Sequence, residues 1–438
     1  LAPAERPDTF DGVRVWPVEP QYYATHGAEN RPAVERCFDK IAFRESLDPA
    51  DAYLLLDGLS NGGHKHLDGN SLPQLTLFDR IWLADNDYFK APVKFHNSVT
   101  VFRDGQSKEI PPYAEFLGAG QSERFGYSKT RLEDYAGADW VRTVVWLKEL
   151  QAFVVFDQLT ARSDQEYQFR TLWHGVGEAT LDENGLLLTQ KGPSLRIDVA
   201  PGPQLDLQAD TDLGANWKGY PHADPVVQSL QAVATVKLKQ GETYLFASVL
   251  HGKADGVAEP WEIELLADSP GIKLAAGERT FRIALGPYDG DTTEGYFKTD
   301  AECIVISDAA LSFLGITRAA IAGMDLYKAD EVSHVDLPIP EAADWLARAP
   351  LRKPVANLSA AADAPAHQVR WSTQLGADGT KPSHVTRLAG ASFGGTRQPD
   401  TVLAATAEGT LFALAADGST RWTVDAGSQL NDVAAADL

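Results

Sequence analysis

The sequence predicts an all-β protein: a large antiparallel β-sandwich followed by a second, truncated β-propeller-like segment. Ten tryptophans and few runs of helical periodicity favour strands over helices. Turn pairs such as Asp104-Gly105 and Asp289-Gly290 separate short apolar runs, as they do between antiparallel strands. The predicted strands include residues 141–146, 152–156, 195–199, 232–238, 244–250, 280–284 and 303–306.

The domain organisation follows from length and from shifts in composition. A chain of 438 residues is long enough for two or more domains. The composition becomes rich in Ala, Pro and Asp after the last predicted strands, which is typical of a linker. We expect an N-terminal linker over 1–35, the sandwich over 36–335, an Ala/Pro-rich linker over 336–365 and partial propeller repeats over 366–438.

The propeller prediction is based on a short sequence repeat. The sequence Arg-Trp-Ser at 370–372 recurs 51 residues later as Arg-Trp-Thr at 421–423. A period near fifty residues of short strands is similar to that of quinoprotein-like or integrin-like propeller repeats. One blade and a fraction cannot close a ring, so we expect further blades after residue 438.

Charge and composition exclude several classes of partner. The formal net charge of −22 argues against nucleic acid and against an anionic membrane surface, because either needs an extended basic patch. No apolar run approaches the roughly 20 residues of a membrane-spanning helix. The two cysteines, Cys37 and Cys303, are too few for a disulfide scaffold and lack CxxC spacing.

A cluster of histidines and aspartates between residues 62 and 101 predicts a metal site. His64 and His66 are two residues apart, so in an extended segment both side chains leave the same face. Asp85 follows a run, 75–84, that is typical of a buried strand, and His96 opens another strand-like run. Imidazole and carboxylate ligands suit zinc, and we predict His66, Asp85 and His96 as its ligands. On spacing alone, ordinary loop histidines remain the alternative.

A family resemblance rests on the same residues. The HxHxD pattern, the buried strand before Asp85, the HNSV sequence at 96–99 and the DGQ turn at 104–106 resemble the sheet domain of heparinase II/III-like polysaccharide lyases. The specific similarity covers about residues 38–159. It implies that the histidine at His64 faces the substrate and that His66 binds zinc with residues matching Asp85 and His96.

The resemblance implies a reaction and a place for it. These lyases cleave uronic-acid polysaccharides by β-elimination, which needs a base for the proton next to the carboxylate and donors that stabilise the resulting dianion. It also implies a periplasmic or extracellular protein, and zinc that mainly fixes the active-site loop. In the family a helical toroid precedes the sheet domain and carries the base and acid. We therefore expect 1–35 to follow a missing helical domain.

Several residues are candidates for the remaining roles. Tyr88 is a candidate base, with a packed strand-end tyrosine as the alternative. Tyr22, Tyr23 and His26 are further candidates, with burial at a domain contact as their alternative. Lys65, Arg80 and Lys94, together with the neighbouring Lys90 and Arg103, are predicted to bind the anionic polysaccharide, although ordinary surface charge explains them equally well.

Two rival functions remain open. Gly58-Leu59-Ser60-Asn61-Gly62 matches the GxSxG pattern of serine hydrolases, but no helical periodicity follows it, as a nucleophile elbow requires. The second rival is a non-catalytic carbohydrate-binding module in which zinc staples the sheet. In that module aromatic residues stack on sugars, and the candidates are Trp140, Trp173 and Trp217.

Overall fold

The computed structural model shows a protein built almost entirely of antiparallel β-sheets. It describes residues 6–27, 31–60, 66–84, 91–212, 227–267, 269–292, 295–321, 324–338, 385–391, 401–406, 410–415 and 419–425. The chain divides into two compact units, Leu1–Ala356 and Asn357–Leu438, called unit 1 and unit 2. The described helical segments are short: α1 (Pro20–Thr25) and the 3₁₀ turns Val34–Arg36, Val93–Phe95 and Lys148–Leu150.

The strands are numbered in chain order. They are β1 (Gly12–Pro17), β2 (Phe38–Arg44), β3 (Tyr53–Asp57), β4 (Gln74–Leu77), β5 (Arg80–Ala84), β6 (Val99–Arg103), β7 (Glu115–Gln121), β8 (Phe125–Tyr135), β9 (Ala138–Leu147), β10 (Ala152–Ala161), β11 (Gln165–Val176), β12 (Glu178–Leu181), β13 (Gly185–Thr189), β14 (Ser194–Val199), β15 (Leu205–Asp212), β16 (Val227–Leu238), β17 (Thr243–Lys253), β18 (Glu262–Leu265), β19 (Gly271–Ala276), β20 (Arg279–Leu285), β21 (Tyr288–Thr292), β22 (Gly295–Thr299), β23 (Cys303–Ile306), β24 (Ala310–Ile321), β25 (Met324–Pro338), β26 (Val385–Ala391), β27 (Thr401–Thr406), β28 (Thr410–Ala415) and β29 (Thr420–Asp425). All seven predicted runs lie within strands, and the all-β prediction is confirmed.

Unit 1 contains three sheets. The first has the order β1-β2-β3-β4-β5-β11-β16-β15, with β6 beside β11. The second has the order β12-β13-β14-β17-β10-β9-β8-β7, and the third has the order β18-β19-β20-β23-β24-β22-β21, with β25 beside β24. The second sheet shares one hydrophobic core with the first and another with the third, so it is the middle layer.

Strand β10 shows how the sequence produces a middle layer. Its residues Phe153 and Val155 pack in the core shared with the first sheet. The alternate residues Val154 and Phe156 pack in the core shared with the third sheet. Because side chains alternate between the two faces of a strand, a strand covered on both faces needs a continuous apolar run. The sequence of β10 begins with such a run, AFVVF.

The structure corrects one predicted strand near the metal site. The run 75–84 is not a single strand but part of the β4–β5 hairpin, which turns at Phe78 and Asp79. Both turn residues have positive φ, +56° and +59°. Such a two-residue turn normally carries Asn-Gly, Asp-Gly or Gly-Gly, and the pair Phe-Asp matches none of these. The hairpin brings Ala84, the residue before Asp85, opposite Gln74 and back toward the loop that follows β3.

Unit 2 contains a four-stranded antiparallel sheet of order β26-β27-β28-β29. A propeller blade has the same number of strands. The predicted repeat at 370–372 lies outside the described residues, and the propeller assignment and the four domain boundaries remain predictions. Among the described helices, none has the length and apolar character to cross a membrane. Cys37 and Cys303 are both buried free thiols.

A buried polar cluster joins β14 to β17 in unit 1. Asp198 accepts hydrogen bonds from Arg196 Nε at 2.8 Å and from the Trp261 backbone N–H at 3.0 Å, and its Oδ2 lies 2.8 Å from His251 Nε2. The His251 ring stacks on Trp261 with centroids 3.8 Å apart. Burial lowers the pKa of His251 below its ordinary value of 6.5, against the opposing effect of Asp198.

This burial predicts acid sensitivity. Between the folded-state pKa of His251 and 6.5, the unfolded chain binds more protons than the folded chain. The contribution of the neutral His251 side chain to the free energy of unfolding is therefore complete above pH 6.5, and it is lost as the pH falls through the folded-state pKa. We expect His251→Gln to reduce this acid-induced loss, measured by urea unfolding at a pH on each side of 6.5. His26→Gln, at an exposed histidine, is the control, and an unchanged loss in His251→Gln would contradict the prediction.

Candidate metal centre

Three side chains in unit 1 converge as possible metal ligands. One ligand atom from each of His66, Asp68 and His96 lies within 4.8 Å of the others. The rings of His66 and His96 have centroids 5.3 Å apart. His96 is fully buried, whereas His66 and Asp68 are half-buried. Two imidazole nitrogens and a carboxylate oxygen form a donor set that suits zinc, with a further coordination position available to another group.

The surroundings of His96 orient its ring. The residue follows the 3₁₀ turn Val93–Phe95, and its Nε2 lies 3.2 Å from the carbonyl oxygen of Ala91. Because a carbonyl oxygen only accepts hydrogen bonds, this contact places the ring proton on Nε2. Nδ1 is then the nitrogen that can bind a metal. A hydrogen bond from the second ring nitrogen to the backbone is the usual way in which proteins orient a ligand histidine.

The loop after Asp68 is fixed by hydrogen bonds to the end of β3. The backbone N–H of Gly69 donates to Ser60 Oγ at 2.6 Å, and the N–H of Asn70 donates to the carbonyl of Asp57 at 2.7 Å. Asn70 has a φ of +64°, a conformation that asparagine tolerates better than most residues. Its side-chain oxygen accepts a hydrogen bond from Thr130 Oγ1 at 2.6 Å. The loop is therefore anchored on both sides.

A buried arginine from the middle sheet connects the two ligand-bearing loops. Arg142 Nη1 donates to the carbonyl oxygens of Asn70, at 2.8 Å, and Asn97, at 3.1 Å. The same guanidinium pairs with Asp157 at 2.8 and 3.0 Å. Asp157 lies directly opposite Arg142 in the β9–β10 ladder and also accepts from Trp140 Nε1 at 2.8 Å. Through Asn70 and Asn97, one side chain positions the loops of both His66 and His96.

A second ion pair lies at the end of β3. Lys40 Nζ is 2.9 Å from Asp57 Oδ1 and 3.0 Å from Asp39. Burial raises the pKa of Asp57 to about 7, despite the attraction of Lys40. Burial on its own lowers the pKa of Lys40, but Asp57 and Asp39 outweigh it and raise that pKa. The buried carboxyl beside the loop is thus one that titrates near neutral pH.

Tyr22 of α1 lies beside the same loop. Its Oη is 3.5 Å from the Ser60 carbonyl oxygen, and its ring stacks on His26 with centroids 4.0 Å apart. Burial raises the pKa of Tyr22, and the carboxylates of Asp57 and Asp68 raise it further. The phenol is therefore protonated at neutral pH and suited to donate a proton rather than to act as the base considered from the sequence.

The structure brings together two of the three predicted ligands, His66 and His96. The third, Asp85, lies outside the described residues, as do His64, Lys65 and the candidate base Tyr88. Asp68 was not predicted as a ligand. The same-face argument used for His64 and His66 extends to a residue two positions later, so the spacing contained a signal for Asp68.

The other predicted site residues are distributed differently. Lys94 is exposed on the turn that precedes His96. Arg80 begins β5 at the hairpin turn, about 13 Å along the strand from Ala84. Ser60 is 2% exposed and holds Gly69, which is a structural role. Trp140 and Trp173 are fully buried and cannot stack on sugars, and Trp217 lies outside the described residues.

Comparison with known proteins gave structural similarities only. No protein-family model and no curated protein matches the chain. Heparinase III is similar at 12% identity and a TM-score of 0.44, over 55% of this chain and 40% of that one. Heparan sulfate lyase HepC from Pedobacter heparinus is similar at 15% identity and a TM-score of 0.44, over 58% and 43%.

A third similar structure is the Streptomyces coelicolor A3 chondroitin AC lyase in complex with chondroitin sulphate. It matches at 12% identity and a TM-score of 0.37, over 74% of this chain and 44% of that one. The chain thus spans less than half the length of each of these three structures. Values this low describe a limited likeness of shape and assign no activity to this chain.

Proposed function

We propose that this chain supplies the metal-bearing sheet part of a polysaccharide lyase that cleaves uronic-acid polysaccharide by β-elimination. The observation that carries the proposal is the convergence of His66, Asp68 and His96 on loops that Arg142 holds together. The sequence resemblance over about residues 38–159 supports the same reaction. On this proposal the protein acts in the periplasm or outside the cell.

The reaction defines what the site must do. A base removes the proton from the carbon next to the sugar carboxylate, a double bond forms to the adjacent carbon, and the glycosidic oxygen leaves and is protonated. Hydrogen-bond donors at the carboxylate stabilise the charge that develops there. We assign that role to His64, which precedes His66 by two residues. Tyr88 is the candidate base within this chain, and the alternative is a base on the N-terminal extension. Lys65, Arg80 and Lys94 are assigned to binding of the anionic chain.

The metal has a supporting role in this proposal. Bound zinc would fix the loop that carries His64, since its ligands lie on the segments just after His64 and just before β6. His66, His96 and a carboxylate from Asp68 or Asp85 would hold it. Arg142 and Ser60 position the loop through the backbone, and Tyr22 beside the loop keeps a phenolic proton at neutral pH.

The test is formation of unsaturated uronate products, followed by ultraviolet absorbance. Alginate, heparan sulfate, hyaluronan and ulvan would be incubated with this chain and with an N-terminally extended form. We expect absorbance to rise with the extended form on at least one polymer. His64→Ala should reduce that rate at least 100-fold and leave the zinc content unchanged, because the residue contacts substrate and not metal.

Two outcomes would contradict the proposal. Loss of zinc in His64→Ala equal to that in His66→Ala would make His64 a ligand. No absorbance from either form on any polymer, together with retention of oligosaccharides after zinc is removed, would favour the zinc-stapled binding module instead.

A further inference from the structure

A cleft beside the candidate metal centre has the lining of an anion-binding site. It encloses about 270 Å³, just below the roughly 300–1,000 Å³ of pockets for drug-sized ligands, which suits a single sugar ring. Three arginines line it, Arg31, Arg36 and Arg131. Three prolines complete the apolar part of the wall: Pro32, Pro111 and Pro112.

A buried carboxylate fixes two of the arginines. Glu115 is 4% exposed, and it pairs with Arg36 through one carboxylate oxygen and with Arg131 through the other, the Arg131 Nε contact being 2.6 Å. The side chains of Arg36 and Arg131 are still 46% and 35% exposed. Their remaining N–H groups are therefore accessible from the cleft, in the planar geometry that binds carboxylate and sulfate groups.

The third arginine has a different set of partners. Arg31 Nη1 donates to the carbonyl oxygens of Tyr23 and His26, and its guanidinium lies 3.8 Å from the Tyr23 ring centroid and 6.0 Å from that of Tyr113. Within the described residues it forms no ion pair with a carboxylate. Its positive charge is thus held in place by neutral groups, and an incoming anion would not have to displace an acidic side chain.

The cleft also has acidic lining residues. These are Glu133 and Asp134, which follow Arg131 in β8, and Arg162 is 2.9 Å from Glu133 and 3.7 Å from Asp134. Carboxylates of this kind accept hydrogen bonds from sugar hydroxyl groups. A ligand that carries one anionic group, several hydroxyl groups and an apolar ring face matches the arginines, the two acidic residues and the proline surface together.

The cleft is connected to the candidate metal centre by short hydrogen bonds. The carbonyl of Pro112, in the cleft wall, accepts from the Ser60 N–H at 2.8 Å. Ser60 Oγ in turn accepts from Gly69, the residue after Asp68. Tyr113 Oη donates to the His26 carbonyl oxygen at 2.7 Å, which joins the cleft to α1 and Tyr22. The two sites therefore lie on one continuous part of unit 1.

We propose that this cleft is a binding site for an acidic sugar unit, held by Arg31, Arg36 and Arg131 and packed against the half-buried Pro32, Pro111 and Pro112. The proposal rests on the proposed function in one respect: it makes the cleft a subsite for a uronate unit of the same polysaccharide, next to the unit that is cleaved. Binding itself requires neither the metal nor elimination.

The test is calorimetric titration of the full 438-residue chain with sodium glucuronate, glucose and inorganic sulfate. We expect saturable binding of glucuronate, at least tenfold weaker binding of glucose and sulfate, and competition by added salt. Arg31→Ala should weaken glucuronate binding at least tenfold, and Arg31→Lys, which keeps the charge and one donor to the backbone, should weaken it less. Arg14→Ala is the matched control, because Arg14 is outside the cleft and bonds to Thr9.

The outcomes separate this proposal from the proposed function. Absence of saturable glucuronate binding, or equal binding of glucuronate and sulfate, would overturn the acidic-sugar site. Equal weakening by Arg31→Ala and Arg14→Ala would do the same. Glucuronate binding by this chain, when its N-terminally extended form yields no unsaturated product from any of the four polymers, would retain the cleft and remove the proposed function. In an active lyase, Arg31→Ala should raise KM and leave kcat nearly unchanged.

Discussion

Replacing Arg142 with methionine is expected to lower the free energy of unfolding by about 3–5 kcal/mol. The substitution leaves the Asp157 carboxylate, which is 1% exposed, with Trp140 Nε1 as its one remaining side-chain donor among those described. The carbonyl oxygen of Asn70 also loses the donor that Arg142 supplies, whereas that of Asn97 keeps the Leu72 N–H at 3.0 Å. A buried charge that has lost its ion-pair partner, together with a weakened buried acceptor, accounts for a loss of this size. Urea unfolding followed by tryptophan fluorescence would measure it.

Two further variants test whether the unpaired charge of Asp157 causes the loss of stability in Arg142→Met. Arg142→Met combined with Asp157→Leu removes both charges and should recover part of the lost stability. Arg170→Met removes an arginine that is only half-buried and bonds to Gln168, and it should cost less than about 1 kcal/mol. A double variant less stable than Arg142→Met alone would show that the buried pair does not act as described.

The same variant links stability to the candidate metal centre. Arg142 binds the backbone of Asn70 and Asn97, next to the segments that carry His66, Asp68 and His96. Loss of such supporting contacts typically lowers metal affinity by about 10–100-fold. We therefore expect Arg142→Met to bind zinc more weakly even under conditions in which the protein remains folded.

Replacing His66 or His96 with alanine is expected to reduce bound zinc from about one ion per chain to nearly none. Each imidazole supplies one of the converging ligand atoms. Because a metal that binds only the folded state stabilises it, both variants should also lose the increase in melting temperature that zinc gives the wild type. Metal analysis after dialysis and thermal unfolding with and without zinc would measure the two effects. The control is His26→Ala, at an exposed histidine.

The carboxylate ligand can be identified in the same way. Asp68→Asn should weaken zinc binding at least tenfold, because its carboxylate lies with the two imidazoles. Wild-type affinity in Asp68→Asn, with loss in Asp85→Asn, would make Asp85 the carboxylate ligand, as the sequence predicted. Full zinc content in His66→Ala or His96→Ala would show that zinc does not bind at this site.

Local pattern was sufficient to determine the β architecture and part of the site. Turn pairs and alternating or continuous apolar runs are properties of adjacent residues, so strands such as β10 and β23 could be located from sequence alone. His66 and His96 were also both predicted as ligands, His66 from its two-residue spacing with His64 and His96 from the strand-like run that it opens. The hairpin turn at Phe78 and Asp79 was missed because Phe rarely adopts a positive φ and no glycine follows Asp79.

Tertiary structure alone decided how the candidate centre is held and what lies beside it. Arg142 reaches carbonyl groups 72 and 45 residues away, and only the stacking of two sheets brings them together. The cleft likewise combines residues 31–36, 111–115 and 131–134, none of which forms a motif with the others. Periodicity reports which face of a strand is buried, but it contains no information about which buried polar groups meet across the layers. For that reason the sequence determined the β fold and the two histidines, and the packing of the layers determined the network that positions them.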